Sequence, residues 1–302
     1  MEYDSVIIGG GAAGLSAALV LSRARRKVLL VDSGSPRNVK ARHLHGFLSR
    51  DGMASAELLD VGKREALGYG TEIVQARVDS ISKDLTVHCD NGIDVRARAV
   101  VVATGLRDEL PAIAGLAELW GRKALHCPYC HGYEVRERTL GVIGGENRPF
   151  SIHQASLVRQ WSEDVVFFPG IIELEPEERR RLQARGVYIA EGAVQAVEDD
   201  RDGVAVVLEG GAAIHRSAVF VGPRFLPRHE LLVELGCARA DSGWVETDAV
   251  GTTSVPGVWA AGNVADSPAQ IINAASAGSR AAIAINHYLL EQDIVAAVSA
   301  RY

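Results

Sequence analysis

Apolar runs alternate along the chain with glycine turns and with amphipathic stretches. Residues 5–32 begin with an apolar strand, pass through a glycine turn into a helix, and end in a second apolar strand that closes on an acidic residue. Residues 139–168 repeat the order of strand, glycine turn, helix and strand. Strands that alternate with helices in this way indicate an α/β fold with parallel sheets.

Two further helices follow from local signals. A charged helix is predicted between Pro176, near its start, and Gly186, just past its end. A long helix rich in alanine is predicted in residues 254–288, with Ser267 as its N-cap and Pro268 in its first turn. Its small residues allow close approach either to a cofactor or to a partner helix.

Length and composition favour two domains. The chain has 302 residues, 47% of them apolar, which exceeds what one small core needs. Its net charge is -6 and it has no basic stripe, so we expect no nucleic-acid partner. Without a signal-like N-terminus or an apolar run of about 20 residues, we expect no membrane partner and a cytoplasmic location.

The first glycine turn carries the spacing G-x-G-x-x-G at Gly9, Gly11 and Gly14. In such turns the first glycine permits the tight bend, the second lets the backbone approach a pyrophosphate, and the third lets the helix pack against the strand. Asp32 ends the second strand, where a carboxylate can accept ribose hydroxyls. The pattern predicts a dinucleotide site but does not distinguish FAD from NAD.

The sequence Cys-Pro-Tyr-Cys-His at residues 127–131 fits four chemistries: covalent haem, zinc, a glutaredoxin-type site, or the dithiol of a flavin-linked disulfide enzyme. Haem attachment needs an export route that the sequence does not show. Zinc normally takes four ligands, and Cys89 and Cys237 lack partnered spacing. A glutaredoxin places the motif at the start of a small fold, whereas here it lies inside a longer frame. These arguments count against the first three chemistries, and the choice of the flavin-linked dithiol rests on the resemblance of the whole chain.

The whole chain resembles the low-molecular-weight thioredoxin reductase-like flavoproteins, in which a second dinucleotide fold is inserted in the first and a C-x-x-C precedes it. The resemblance implies two Rossmann-like domains: an FAD-binding domain in residues 1–111 and 245–302, and an inserted NAD(P)-binding-like domain in residues 112–244. It also implies bound FAD and a homodimer. The expected FAD-binding residues are Gly9, Gly11, Ala13, Gly14, Asp32, His45, Ala103, Thr104, Gly105, Gly262, Asn263, Gln270 and Ile271.

The resemblance also assigns roles to the motif. It implies that Cys130 is the flavin-proximal, charge-transfer thiol and that Cys127 exchanges with the substrate. Thioredoxin reductases carry an aspartate after the second cysteine, whereas this chain has His131. An imidazole titrates near neutrality and can accept a proton from a thiol, which suits it to oxidation. The neighbouring His126 either shares this proton transfer or holds a loop.

Two departures concern the second nucleotide site. Glu146 and Pro149 stand where the second fingerprint requires its second and third glycines, and residues 167–170 read Phe-Phe-Pro-Gly where reductases carry arginines for the 2'-phosphate. Together with His131, these departures resemble the FAD-dependent dithiol oxidases of holomycin, gliotoxin and romidepsin biosynthesis. We therefore expect oxidation of a small-molecule dithiol with oxygen as acceptor.

Two alternatives remain at this stage. A thioredoxin reductase-type enzyme would reduce a thioredoxin-like protein with NADPH, bound in a variant way with help from Arg148, or with another donor such as ferredoxin. A flavin-binding sensor would instead use the redox state of the disulfide to change a surface. The cysteines are common to all of these, so the direction of electron flow decides between the two enzymes.

Overall fold

The computed structural model describes residues 2–37 and 43–301. The chain forms two compact units. The first comprises Met1–Val39, Met53–Arg107 and Leu226–Tyr302, and the second comprises Lys40–Gly52 and Asp108–Phe225. The short strand β7 (Leu106–Glu109) contains the boundary between residues 107 and 108, and β16 (Arg224–Pro227) contains the boundary between residues 225 and 226.

The first unit is built on a seven-stranded sheet in the order β3-β2-β1-β6-β5-β4, with one further strand, β17, on β6. Pairs among β3, β2, β1, β6 and β17 are parallel, and β4 and β5 add antiparallel strands. The strands are β1 (Glu2–Ile8), β2 (Val28–Asp32), β3 (Glu72–Gln75), β4 (Val78–Ile81), β5 (Thr86–Cys89), β6 (Asp94–Val102) and β17 (Val258–Ala260).

Helices and packed side chains cover this sheet. The helices are α1 (Ala12–Arg23), α2 (Ser55–Gly68), α7 (Glu230–Glu234) and α8 (Ile271–Ser299), and a 3-10 turn spans Gly262–Val264. Successive residues of β1 enter different apolar clusters: Ile7 packs in one and Ile8 in the other. Because both faces of the sheet are buried, its strands read as continuous apolar runs.

The second unit contains a five-stranded parallel sheet in the order β11-β10-β9-β15-β8 and a three-stranded antiparallel sheet, β12-β13-β14. The parallel strands are β8 (Ala124–Leu125), β9 (Leu140–Ile143), β10 (Val165–Phe168), β11 (Val187–Ile189) and β15 (Ala218–Val221). The remaining elements are β12 (Val194–Asp200), β13 (Gly203–Leu208), β14 (Ala213–Arg216), α3 (Leu116–Leu119), α4 (Pro128–His131), α5 (Arg148–Val158) and α6 (Pro176–Ala184).

The later boundary of the second unit differs from the sequence-based interpretation, which placed residues 226–244 in the inserted domain. Leu231 and Leu232 of α7 pack in the same apolar cluster as Val6 of β1 and Val258 of β17. Burial of these leucines groups the segment with the first unit.

The start of α8 also differs. The helix begins at Ile271 with Gln270 as N-cap, so the predicted N-cap at Ser267 is wrong. The reason is the side chain of Asn263, whose Nδ2 donates to the carbonyl oxygens of Asp266, Ser267 and Ala269 at 3.0, 3.2 and 3.0 Å. These bonds hold residues 263–269 as a loop. The charged helix α6, in contrast, begins at Pro176 and ends before Gly186 as predicted.

Candidate cofactor and dithiol sites

The glycine turn of the first unit has the geometry that its spacing predicts. A Cβ on Gly9, whose φ is 110°, would lie 2.4 Å from the carbonyl oxygen of Ala103, and a Cβ on Gly14 would lie 1.9 Å from that of Gly9. Gly11, the N-cap of α1, faces open space, and no side chain of the described residues caps the helix. The uncapped helix start therefore fits an anionic ligand such as the pyrophosphate of a dinucleotide.

Asp32 lies beside this turn at the end of β2. Its Oδ1 accepts a hydrogen bond from the backbone N–H of Gly10 at 3.0 Å, and Nζ of Lys63 lies 3.8 Å from Oδ2. A Cβ on Gly10 would meet Oδ2 at 2.5 Å. The carboxylate is thus fixed against the turn, where it can accept hydrogen bonds from ribose hydroxyls.

The last segment of the chain completes the first unit's site. A Cβ on Gly262 would lie 2.9 Å from Cβ of Ala13, and one on Gly278 would lie 1.9 Å from the Ala13 carbonyl oxygen. The small residues of α8 therefore serve contact with α1, which selects the partner-helix alternative for this part of the helix. Gln270 and Ile271 lie at the N-terminus of α8, which no side chain of the described ranges caps.

The strand end at residues 103–105 is tied to the segment after β16. The Thr104 hydroxyl donates to the carbonyl oxygen of Arg228 at 2.5 Å, and the Arg228 N–H donates to that of Gly105 at 2.9 Å. Ala103 donates its N–H to Ile8 of β1. The structure thus brings the predicted FAD-binding residues of the first unit to the ends of β1, β2, β6 and β17 and the starts of α1 and α8.

A disulfide joins Cys127 and Cys130 in the second unit. Cys127 is the N-cap of α4, and its carbonyl oxygen accepts hydrogen bonds from the N–H groups of Cys130 and His131, each at 3.1 Å. Pro128 occupies the first helical turn, where its missing N–H is not needed. The motif is therefore a single helical turn that brings the sulfurs of Cys127 and Cys130 together.

Trp161 supports this turn from the side. A Cβ on Gly132 would lie 2.8 Å from Cδ2 of the indole, so the residue after the motif must be small. Tyr129, between the two cysteines, meets the indole edge-on with ring centroids 5.7 Å apart. The sequence analysis missed this role of Trp161 because the two segments are far apart along the chain.

The surroundings of His131 favour the neutral form of its imidazole. Burial lowers the pKa of its imidazole below the ordinary 6.5, Glu134 opposes that shift, and His45 adds to it. Its Nδ1 is buried and has no hydrogen-bond partner among the described residues. The Cys127 backbone carbonyl accepts a hydrogen bond from the same ring and raises its pKa in part, so Nδ1 is the ring nitrogen without a partner among the described residues, and in the neutral imidazole it can accept a proton.

His45 lies in the second unit, between two carboxylates. Its Nδ1 is 3.4 Å from Oδ2 of Asp51, and its Nε2 is 3.5 Å from Oε1 of Glu134. Asp51 also accepts a hydrogen bond from the N–H of Gly46 at 2.8 Å. His45 was predicted to contact FAD, and that contact stays a prediction. Glu134 and Asp51 were not predicted as site residues, although Glu134 lies only three residues after His131 in the sequence His-Gly-Tyr-Glu.

His126 packs between two aromatic rings. Its ring stacks on Phe150 with centroids 5.5 Å apart and meets Phe225 edge-on at 5.2 Å. Its carbonyl oxygen accepts a hydrogen bond from Nε2 of the buried Gln154 at 2.6 Å. These contacts favour the loop-holding alternative, and they anchor the backbone just before Cys127 to α5.

The chain matches the family model of the pyridine nucleotide-disulphide oxidoreductases over residues 3–278. It belongs to that family. The similar proteins include thioredoxin reductase sirT of Leptosphaeria maculans, which is 31% identical over 97% of this chain and 96% of that protein. The crystal structure of HlmI is 50% identical, with a TM-score of 0.94 over 98% of this chain and 95% of that chain. The putative thioredoxin reductase TrxB from Bacillus anthracis is 30% identical, with a TM-score of 0.91 over 96% and 99%.

These similarities confirm the expected fold of two Rossmann-like domains and the resemblance to thioredoxin reductase-like enzymes. The protein is a disulfide oxidoreductase, and FAD is its cofactor. The open start of α1 and the fixed carboxylate of Asp32 fit that cofactor. None of the helices within residues 2–37 and 43–301 is both long and apolar enough to cross a membrane.

Proposed function

We propose that this pyridine nucleotide-disulphide oxidoreductase oxidises a small-molecule dithiol to a disulfide, with oxygen as the final electron acceptor. The observation that carries the proposal is the closed loop before α5, where a reductase of this architecture would bind NADPH. Pro149 has no N–H, and the N–H groups of Arg148, Phe150 and Ser151 all donate within the protein.

The starts of α1 and α5 differ in this respect. No described side chain caps α1, whereas Asn147 caps α5 through a bond from the Phe150 N–H to its Oδ1 at 3.1 Å. The Ser151 hydroxyl also accepts the N–H of Gly145 at 3.0 Å. A phosphate at α5 would have to displace these bonds, whereas a phosphate at α1 would not. Around the start of α5, the N–H groups of Gly145, Arg148, Phe150 and Ser151 are thus already bonded within the described part of the chain, which disfavours dinucleotide binding there.

Charge around this loop points the same way. Arg148 is the residue that was expected to help bind a phosphate. Its guanidinium donates two hydrogen bonds to the carboxylate of Glu178, at 2.7 and 2.5 Å. The exposed Glu146 adds a negative charge within the loop. Phe167 and Phe168 are fully buried where the reductases present arginines. A 2'-phosphate would thus lie near the carboxylates of Glu146 and Glu178, and it would find no arginine at positions 167 and 168.

The motif can carry out the exchange with its own groups. His131 accepts the proton of one substrate thiol, the thiolate forms a bond to the sulfur of Cys127, and the Cys127–Cys130 bond breaks so that Cys130 leaves as a thiolate. The second substrate thiolate then displaces Cys127. The substrate loses two electrons and two protons, and the cysteine pair gains the two electrons. Bound FAD supplies the redox chemistry that passes these electrons on to oxygen, yielding hydrogen peroxide.

Exposed aromatic rings beside the disulfide suit a small organic substrate. Tyr129 and Tyr133 are 65% and 64% exposed. Tyr129 is held against Trp161, and the guanidinium of Arg136 lies 3.9 Å from the centroid of Tyr133. Fixed rings of this kind provide flat apolar surface with little loss of side-chain entropy.

The test compares two reductants on the FAD-loaded enzyme. We expect dithiothreitol to bleach the flavin rapidly without oxygen, NADPH to leave it yellow, and steady dithiol turnover to consume oxygen and produce hydrogen peroxide in equal amounts. Cys130→Ser should abolish turnover, and Cys89→Ala, at a buried cysteine outside the motif, should keep it. Rapid bleaching by NADPH would overturn the proposal. A flavin that the dithiol leaves oxidised would overturn it as well.

The second candidate is an NADPH-dependent or ferredoxin-dependent reductase of a thioredoxin-like protein. Its support is the name thioredoxin reductase, which two of the similar proteins carry. Such an enzyme would be reduced by NADPH or ferredoxin. Cys127→Ser would abolish its reduction of the thioredoxin-like protein. Under the sensor alternative, the redox state would alter a surface without steady turnover, so sustained oxygen uptake argues against it.

We also propose that the protein works as a homodimer in the cytoplasm. Four apolar side chains of α8 are exposed along its second half: Leu290, Ile294, Val295 and Val298. A second copy would remove them from water. Light scattering on the FAD-loaded protein should give twice the mass of the 32.2 kDa chain.

A further inference from the structure

Oxidation of a dithiol releases more protons than one imidazole can hold. A dithiol gives up two protons when it becomes a disulfide, one before each displacement. His131 can hold only one proton at a time, and burial disfavours its charged form. Its proton must therefore leave before the second thiol can be deprotonated at the same place.

The second unit provides a route next to His131. Glu134 and His45 both interact electrostatically with the His131 imidazole. Oε1 of Glu134 lies 3.5 Å from Nε2 of His45, and the opposite ring nitrogen lies 3.4 Å from Oδ2 of Asp51. The side chain of His45 is 21% exposed and that of Asp51 is 67% exposed. The pairs thus run from Glu134, three residues after the partly buried His131, to a carboxylate in contact with water.

We propose that His45, acting through His131 and held between Glu134 and Asp51, is a proton-relay residue that restores the neutral base between the two deprotonations of a dithiol. The inference rests on the proposed function and adds a residue to it. Each transfer moves a proton alone: His131 loses the proton that it took from the first thiol, the relay passes it to water, and His131 accepts the second. Electrons pass only through the sulfurs.

The segment that carries His45 is shaped for this position. Leu44 is buried, and its carbonyl oxygen accepts the N–H of Gly52, which closes the segment into a loop. Oδ1 of Asp51 is held by the N–H of Gly46, and Oδ2 is left for His45. The hydrogen bonds from Gly46 and His45 lower the pKa of Asp51, so it stays ionised as the acceptor at the exposed end.

The experiment measures flavin reduction by dithiothreitol without oxygen, from about pH 5 to 8, in the FAD-loaded enzyme. The variants are His45→Gln, Glu134→Gln and, as a matched control, His215→Gln. His215 is an exposed imidazole 3.0 Å from Asp200 on the antiparallel sheet, so it repeats the ion pair away from the motif. We expect His45→Gln to slow reduction about ten-fold, less than the ~10²–10⁴-fold that a general base contributes. Added imidazole should restore part of the rate.

A second readout does not depend on the loaded enzyme. Proton NMR of the protein without FAD should show the pKa of His131 raised by His45→Gln and lowered by Glu134→Gln, because the first removes an imidazole that lowers this pKa and the second a carboxylate that raises it. The control should leave the pKa of His131 unchanged.

The outcomes separate the relay from the function on which it rests. If dithiothreitol fails to reduce the wild-type flavin, the proposed function and the relay both fall. If the wild type is reduced but His45→Gln keeps its rate and pH profile, the relay alone is wrong. A slower variant with the wild-type pH profile and no response to imidazole would show a merely structural role, which also overturns the relay.

Discussion

A Cβ placed on Gly278 would stand 1.9 Å from the carbonyl oxygen of Ala13, so α8 and α1 approach each other backbone to backbone. We expect Gly278→Ala to lower the free energy of unfolding by about 1–3 kcal/mol, the usual effect of overpacking a filled contact. It should also weaken FAD retention, because Ala13 lies in the first turn of α1. Urea unfolding and FAD release measure both effects.

The control for this substitution is Gly68→Ala, at the last residue of α2. Apart from its chain neighbours and the backbone of its own helix, no atom of the described residues lies within 4 Å of the position that its Cβ would take. Alanine is the better helix former, so stability should stay the same or rise slightly. Equal destabilisation by the two substitutions would contradict the close contact.

Asp293 of α8 links that helix to the sheet through two arginines. Its carboxylate oxygens lie 2.6 Å from Arg98 and 2.7 Å from Arg26, and Arg98 also binds Asp4 at 2.9 Å. Hydrogen bonds from Arg26 and Arg98 hold the pKa of Asp293 below its ordinary 3.8. The folded state thus binds this proton less readily than the unfolded state, so the contribution is present above pH 3.8 and is lost as the pH falls through the lowered pKa.

Asp293→Asn should remove this part of the pH dependence and flatten the acid limb of the stability curve. Arg98→Met should lower the free energy of unfolding at neutral pH by about 1–3 kcal/mol, because it removes the arginine partner of Asp4 and one of the two arginine partners of Asp293. Urea titrations at a series of pH values check both expectations. An unchanged acid limb in Asp293→Asn would show that other carboxylates govern it.

His131 sets the pH dependence of the proposed oxidation. Burial lowers its pKa below 6.5, so the neutral form persists into mildly acidic solution. The rate of flavin reduction by a dithiol should therefore rise with pH through that lowered pKa and then level off. His131→Gln should remove this limb and slow reduction by about 10²–10⁴-fold. His126→Phe, which keeps a ring between Phe150 and Phe225, should keep the limb.

Gly132 limits what can follow the cysteine motif. Its substitution by alanine would bring Cβ to 2.5 Å from the Pro128 carbonyl oxygen and 2.8 Å from the Trp161 ring, so we expect a loss of about 1–3 kcal/mol in stability and slower disulfide exchange. The double substitution Gly132→Ala, Trp161→Leu should recover part of the exchange rate, since it relieves the contact with the indole. A thiol-labelling assay after mild reduction measures that rate.

The sequence predicted the parts of the molecule that depend on neighbouring residues. Gly9, Gly14 and Asp32 lie in one consecutive run of strand, turn, helix and strand, so their spacing indicates how they meet. The bounds of α6 likewise follow from a proline and a glycine at its two ends. Such local signals survive folding because no distant contact opposes them.

The missed features depend on contacts between distant segments. Ser267 and Pro268 look like a helix start, but the side chain of Asn263 binds the carbonyl groups between 266 and 269 and delays the helix. Glu134 and His45 have no periodicity that relates them. Their pairing is visible only once the loop at residues 43–52 is placed with the cysteine turn.

That placement has a consequence for recombining this protein with its relatives. The unit that carries the disulfide is encoded in two stretches of the gene, because residues near His45 belong with Asp108–Phe225. A chimera built by exchanging the later stretch alone would join one parent's imidazole to the other parent's carboxylate at position 134. Exchanging both stretches together should preserve the pairing. Positions 45 and 134 should therefore come from the same parent.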